Sequence, residues 1–334
     1  MSLPRRVRNG LLALGVAGCL AVPARGEPAP APTERGSVEF TPGDDPVRVP
    51  ERYRLGAFRF PFELSLKYDL PYSGVEVYRL TFPSPVKSPH ESNNTVHAEY
   101  YRPKGAGPFP GVIILDILAG DQSLSRGMGL FFAQNGVAGL FVQMAYHGPR
   151  RPPEGRVRLL SPDIPHTLAA IRQTVLDCRC AAAWLAARPE IDPERLGIVG
   201  TSLGSFMSAL TAAMEPRLRR VALLLGGGGL VDAFYDHPRA GWFRRFNELL
   251  GGSKERLAEL IAPVDPLTYA DRLARRRLLM IAARRDEIVP PSAAEALWKA
   301  AGRQKIVWFD TTHYGAVLYL LPAMGYVLEH FRSP

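Results

Sequence analysis

The amino-acid sequence predicts an α/β protein built on a doubly wound, mostly parallel sheet with helices on both faces and antiparallel strands at its N-terminal edge. Two observations carry this expectation. After Pro110, short apolar runs alternate with longer helical stretches, the pattern of parallel strands buried on both faces and joined by crossover helices. Before Pro103, apolar and polar residues instead alternate in short stretches broken by a polar loop, as in antiparallel strands.

Taken from the start, Arg5, Arg6 and Arg8 precede an apolar run from Leu11 to Val22 that is too short to span a bilayer. Residues 1–26 therefore read as an export signal peptide, and the chain as periplasmic or secreted. Two processing routes stay open: cleavage after Ala24-Arg25-Gly26, or lipid anchoring at Cys19 within Val16-Ala17-Gly18-Cys19. The stretch 27–52, with six prolines by residue 50 and many small or charged residues, is expected to be a Pro-rich tether. A single domain is expected over 53–334, since a 334-residue chain that is 46% hydrophobic has ample material for one core.

Within that domain the antiparallel strands are expected at Val75–Phe82 and Val96–Tyr101. Parallel strands are expected at Val112–Leu115, Val137–Met144, Leu196–Val199, Val221–Leu225, Leu278–Ala282 and Ile306–Phe309. Helices fit between them, most clearly over His166–Ala187, ended by Arg188-Pro189, and over Leu203–Met214, where Leu203, Phe206, Met207, Leu210 and Met214 share a face. The apolar stretch Gly315–Leu328 contains Pro322 and Gly325, falls short of a membrane span and reads as a buried final helix. Between Leu225 and Leu278 the chain is longer than a crossover needs, which marks a lid-like insertion at about 226–275. Phe234, Trp242, Phe243 and Phe246 there would either wall an apolar pocket or simply pack.

Lys and Arg number 41 against 32 acids, a net charge of +9; residues 1–26 hold four of the arginines and no acid, so the remainder carries about +5. The cations are scattered, Arg275-Arg276-Arg277 reading as a solvated face, and no nucleic-acid partner is expected. Cys178 and Cys180 remain after the signal, one residue apart on a helix, which is neither a disulfide framework nor a zinc pattern. No metal or organic cofactor is expected. The sequon Asn93-Asn94-Thr95 carries little weight, and Gly226–Gly229 lacks the Gly-Lys-Ser/Thr of a phosphate cradle and reads as a flexible strand-end loop.

The chemistry concentrates in Gly200-Thr201-Ser202-Leu203-Gly204, a G-x-S-x-G that follows one expected strand and opens the next helix. Glycines flank the serine because such a tight turn leaves no room for side chains, and the strained backbone lifts the hydroxyl out at the carboxyl edge of the sheet. A serine hydroxyl becomes nucleophilic only when a base takes its proton, so a histidine oriented by a carboxylate is required downstream. Asp286, after the strand Leu278–Ala282, and His313, after Lys305–Phe309, stand where strands end, the edge at which open α/β sheets place their sites. Glu287 and Asp310 are rivals to Asp286. His147 would line the substrate mouth or serve as a hydrogen-bonded loop residue, Asp116 would touch substrate or cap its turn, and His166 and His237 have no evident partner.

From about Pro110 onward the chain resembles the α/β-hydrolase superfamily, nearest its dienelactone hydrolase, acetyl xylan esterase and prolyl-oligopeptidase-like branch. Beyond the serine motif, Ala186 to Gly200 is similar to that branch's approach to the nucleophile, and Arg285-Asp286-Glu287-Ile288-Val289-Pro290 to its acid turn. The resemblance implies that Ser202, Asp286 and His313 are nucleophile, acid and base. It also implies an oxyanion hole from the backbone N–H of Leu203 and one from the turn after the first parallel strand. There Asp116-Ile117-Leu118-Ala119-Gly120 keeps only the last glycine of the family's H-G-x-x-G, and Leu118, with Ile117 as alternative, is the candidate donor. Ser205, where relatives often carry glycine, departs without touching the chemistry.

The activity so implied is two-step acyl transfer to water from a small-molecule or carbohydrate ester. An acyltransferase or a serine peptidase would share the same residues. A non-catalytic binding protein on this fold would be expected to lack one of the three.

Overall fold

The computed structural model describes residues 33–43, 49–118, 121–153, 155, 157–235 and 252–333. Residues 1–26, with Cys19, lie outside them, as do Gly120, His237, Trp242, Phe243 and Phe246. Among the described residues ten strands form one sheet: β1 (Thr33–Phe40), β2 (Phe58–Leu70), β3 (Val75–Pro83), β4 (Thr95–Pro103), β5 (Phe109–Leu115), β6 (Ala138–Val142), β7 (Ile191–Thr201), β8 (Arg220–Leu224), β9 (Arg277–Ala283) and β10 (Lys305–Phe309). Their spatial order is β1-β2-β3-β4-β6-β5-β7-β8-β9-β10. β1 to β4 are antiparallel and β4 joins β6 antiparallel, whereas β6, β5, β7, β8, β9 and β10 run parallel.

The helices α1 (Ser123–Gln134), α2 (Ile164–Ala186), α3 (Leu203–Met214), α4 (Lys254–Ile261), α5 (Pro291–Ala300) and α6 (Leu320–Arg332) cover both faces. Alternation along each parallel strand decides which side chain meets which helix. Val112 and Ile114 of β5, with Val199 of β7 and Leu279 and Ile281 of β9, pack against Met128 and Phe132 of α1 and Met324, Val327 and Phe331 of α6. Ile113, Leu115, Ile198, Val221, Leu223 and Met280 face the opposite layer, where Val175 and Trp184 of α2 meet Met207 and Leu210 of α3. Buried on both faces, these strands have no polar side to show, which is why they read as unbroken apolar runs.

Three expectations change. Thr33–Phe40, within the segment read as a tether, is strand β1; Val38 and Phe40 are buried and the strand pairs along its length with β2. Pro42, Pro46 and Pro50 follow it, but Glu34-Arg35-Gly36-Ser37 masked a strand whose burial depends on a partner 18 to 32 residues away. Second, the final apolar stretch is only half buried. Gly315–Tyr319 is a 3-10 turn with Val317 and Leu318 exposed, and α6 buries Ala323, Met324, Val327 and Phe331 while Leu321 faces water. Third, the Gly226–Gly229 loop is tied down: Asp265 accepts hydrogen bonds from the Gly229 and Leu230 N–H groups at 2.9 and 2.6 Å. Side chains at Gly226 and Gly227 would collide with Ser205 and with the Ala293 backbone.

Asn93 is fully buried and its amide donates to Gln173 Oε1 at 2.7 Å, so the sequon is structural. Cys178 and Cys180 are buried free thiols in the α2 core. No described helix is long and apolar enough to cross a membrane.

Candidate active site

β5 sends its chain into α1 on one face of the sheet, and its neighbour β7 sends its chain into α3 on the other. Connections that leave adjacent parallel strands in opposite directions open a crevice at their carboxyl ends, the general position for ligands in such sheets. Ser202 stands there, one residue past β7, with φ 53° and ψ −115°. That backbone is strained for a residue with a Cβ. It is held because Ser202 N–H donates to Leu224 O on β8 at 2.8 Å and the Ser202 carbonyl accepts from Ser205 N–H at 2.9 Å. The flanking glycines are sterically required: a Cβ on Gly200 would collide with the Gly204 carbonyl, and one on Gly204 with the Leu115 and Asp116 carbonyls. The second of these close approaches presses the start of α3 against the end of β5.

His313 lies four residues past β10, and its Nε2 is 3.1 Å from Ser202 Oγ. Its Nδ1 is 2.8 and 3.0 Å from the two carboxylate oxygens of Asp286, three residues past β9. Asp286 in turn accepts from the Ile288 and Val289 N–H groups at 2.9 and 2.7 Å, which fixes its rotamer from behind. With a carboxylate on Nδ1, the Nδ1–H tautomer is favoured and Nε2 turns its lone pair to the serine hydroxyl. The three residues expected from sequence thus form one continuous hydrogen-bonded chain.

The rival acids fall elsewhere. Glu287 accepts from the backbone N–H of His313 at 3.1 Å and so positions its loop, while Asp310 is exposed and paired with Arg285 at 3.0 Å. Asp116 is buried; desolvation raises its pKa, opposed by the hydrogen bond from Ser125 Oγ at 2.9 Å. It is a turn residue. His147 has its ring nitrogens 2.9 Å from Ala145 O and 3.0 Å from Leu118 O, tying the β6 loop to the loop after β5. His166 is in contact with Arg158 O through Nε2 at 2.8 Å. Leu118, three residues past β5, is 44% exposed.

Sequence reading missed a buried network beneath His147. Arg150 and Asp177 are both essentially unexposed and 2.7 Å apart; Arg150 also donates to Asn93 O and Gln143 O, and Ser84 Oγ donates to Asp177 at 2.6 Å. No short motif announces it, since its members come from five separate segments. Among the described residues no group of three or more His, Cys, Asp or Glu side chains is placed to hold a metal ion.

Comparison with known proteins agrees with this architecture. The model of the prolyl oligopeptidase family matches residues 170–314, and that of alpha/beta hydrolase domain containing 18 matches residues 78–225. An uncharacterized protein of Mycobacterium tuberculosis is 28% identical over 210 residues, 62% of this chain, and the match spans 63% of that relative's length. Among solved structures, the acetyl xylan esterase from Paenibacillus sp. R4 superposes with a TM-score of 0.65 at 21% identity, covering 80% of this chain and 88% of the other. Acetyl xylan esterase 1 from Thermoanaerobacterium sp. JW/SL YS485 gives 0.61 at 23% identity, covering 81% and 88%. A putative dienelactone hydrolase from Klebsiella pneumoniae gives 0.51 at 18%, covering 77% and 99%. The fold is that of the α/β-hydrolases.

Proposed function

We propose that this chain is an exported serine hydrolase that cleaves a carboxylic ester or closely related acyl bond through an acyl-enzyme on Ser202. The observation that carries the reading is the Ser202–His313–Asp286 relay, 3.1 Å at one joint and 2.8 Å at the other. His313 takes the proton from Ser202 as the hydroxyl attacks the carbonyl carbon, then gives it to the leaving alcohol. Asp286 holds the imidazole in its tautomer and stabilises the imidazolium. Water deprotonated by the same histidine attacks the acyl-enzyme and releases the acid.

Leu203 and Leu118 donate to the oxyanion in this scheme. Leu203 N–H, in the first turn of α3, has no acceptor among the described residues, as expected of a helix start. Leu118, with Ile117 as the alternative, supplies the second donor in this reading. Each such donor is worth about 3 kcal/mol of barrier. The domain spans 53–334 together with β1, with 1–26 as its export signal.

The names of the structural neighbours make acetylated sugars the first substrates to try, and the prolyl oligopeptidase match calls for aminoacyl amides beside them. A hydrolysis screen of graded acyl esters, acetylated sugars, lactones and aminoacyl amides, with the mature protein and its Ser202→Ala variant, tests the proposal. Free acid released by the first and not the second is the expected result. Turnover that survives in Ser202→Ala, or product ester formed in place of acid, would overturn it.

A further inference from the structure

The opposite edge of the sheet carries a feature that ester hydrolysis does not use. β8 and β9 pair in a register that sets Arg220 directly beside Arg277, the first residues of the two strands. Like charges opposite one another on neighbouring strands are destabilising. Arg219 precedes Arg220, and Arg275 and Arg276 precede Arg277. The five guanidinium-bearing residues line one open cleft of about 610 Å³ in which Glu194 is the only acid among the lining residues. Glu194 is 2.5 Å from Arg219. Read in sequence, Arg275-Arg276-Arg277 is a solvated run; the strand register turns it into one wall of a basic cleft.

Arg220 is the informative member. It is 6% exposed, donates through Nη2 to Ser333 O at 2.8 Å, and its Nε has no hydrogen-bond partner among the described residues. Burial, with the charges of Arg277 and Arg195 next, lowers its pKa against the opposing pull of the Asp192 carboxylate. Burial also lowers that of Arg276, against the opposing pull of the Glu215 carboxylate. Helix capping explains part of the cluster, since Arg276 Nε donates to Ala212 O at 3.2 Å near the end of α3. One capping bond uses one of the five donors a guanidinium carries, and the attraction of the nearby Glu215 carboxylate does not offset the burial of the charge. Holding a buried cation among like charges is costly unless an anion accompanies it.

We propose that this cleft binds a ligand bearing a phosphoryl group. Guanidinium forks match phosphate oxygens two at a time, and a phosphate monoester carries close to two negative charges at neutral pH, which suits several cations facing one acid better than a lone carboxylate does. The site lies at the amino ends of β8 and β9, whereas Ser202 lies at the carboxyl end of β7. Five strand residues at about 3.3 Å each separate the two edges by roughly 16 Å, so the ligand and an ester substrate do not compete for space.

Inorganic pyrophosphate, titrated into the full chain by calorimetry at fixed physiological ionic strength, is the first probe, and anionic phospholipid vesicles with co-sedimentation are the second. Saturable binding of pyrophosphate is expected, unchanged in Ser202→Ala and weakened about tenfold or more in each of Arg219→Glu and Arg275→Glu. Both of these arginines are exposed, so the variants keep the fold and their ester hydrolysis. Pyrophosphate binding without vesicle binding identifies a free phosphate ligand. Vesicle binding lost in Arg275→Glu identifies a lipid headgroup. Binding of neither probe, or binding undiminished in the Arg219→Glu/Arg275→Glu double variant, would overturn the proposal.

Discussion

The Asp286 carboxylate straddles Nδ1 of His313, at 2.8 Å through one oxygen and 3.0 Å through the other, while the next residue, Glu287, holds the backbone N–H of the same histidine. Adjacent acids thus grip the ring and the main chain of one residue. Their substitution separates a role in proton transfer from a role in loop placement.

Asp286→Asn is expected to lower kcat by about 10⁴-fold with little change in KM, because an amide stabilises the wrong imidazole tautomer. Glu287→Gln keeps an oxygen acceptor for the His313 N–H and is expected to cost less than about tenfold. Steady-state kinetics on the best ester from the screen checks both, and equal losses would reassign the acid.

Ser202→Ala is expected to reduce kcat by about 10⁶-fold and to abolish labelling by a fluorophosphonate probe. The thermal midpoint should hardly move, since among the described residues no hydrogen bond from the Ser202 side chain supports the fold apart from that to His313. Calorimetry on the same preparation tells catalytic loss from unfolding.

Gly204→Ala would drive a methyl group into the Leu115 and Asp116 carbonyls where β5 meets α3. Overpacking of this kind costs about 1–3 kcal/mol. Because the displaced backbone leads directly to Leu118, activity should fall by more than the loss of folded protein accounts for. Chemical denaturation and kinetics, measured side by side, test that difference.

Asp177→Asn removes one partner of the buried Arg150 pair and leaves a cation uncompensated. Such a loss costs about 3–5 kcal/mol, which for a chain of this size lowers the thermal midpoint by roughly 10 °C. A shift of a degree or two would show that the remaining hydrogen bonds of Arg150 suffice.

Glu99 is held on β4 by Lys67 at 2.8 Å, Arg126 at 3.0 Å and the Tyr101 hydroxyl at 2.8 Å. Burial raises its pKa, but the hydrogen bonds from Arg126, Lys67 and Tyr101 outweigh it and leave the carboxyl below the usual glutamate range. A folded pKa lower than the unfolded one gives stability that is complete above the ordinary value of about 4.3 and is lost as pH falls through the folded value. Glu99→Gln should therefore be less stable at neutral pH, with the two proteins converging in acid. Unfolding free energies across that range check the sign.

Several elements were legible from local pattern. α3 begins and ends where Leu203 to Met214 predicted, and the parallel strands begin and end within a few residues of the apolar runs that announced them, except that β7 extends five residues further at its N-terminal end. A strand buried on both faces has no alternative environment, so its composition betrays it. β1 and β2 were not read: β1 is a half-buried edge strand whose interior residues are chosen by β2, and β2, paired between β1 and β3, buries only alternate residues over part of its length. Leu318 and Leu321 were read as buried because apolarity alone does not say which face of a helix meets the core.

By itself the sequence determined the doubly wound order of elements and nominated Ser202, Asp286 and His313, since strand-end position and the glycines of a tight turn are local properties. Tertiary structure decided what distance along the chain conceals. It set the Asp286 carboxylate, and not that of Glu287 or Asp310, against the His313 ring, gathered Arg150 and Asp177 into a buried pair, and brought Arg219 and Arg220 alongside Arg275 to Arg277 through the register of β8 and β9. Electrostatic and hydrogen-bonded contacts act over a few ångströms in space, and only the folded chain sets those separations.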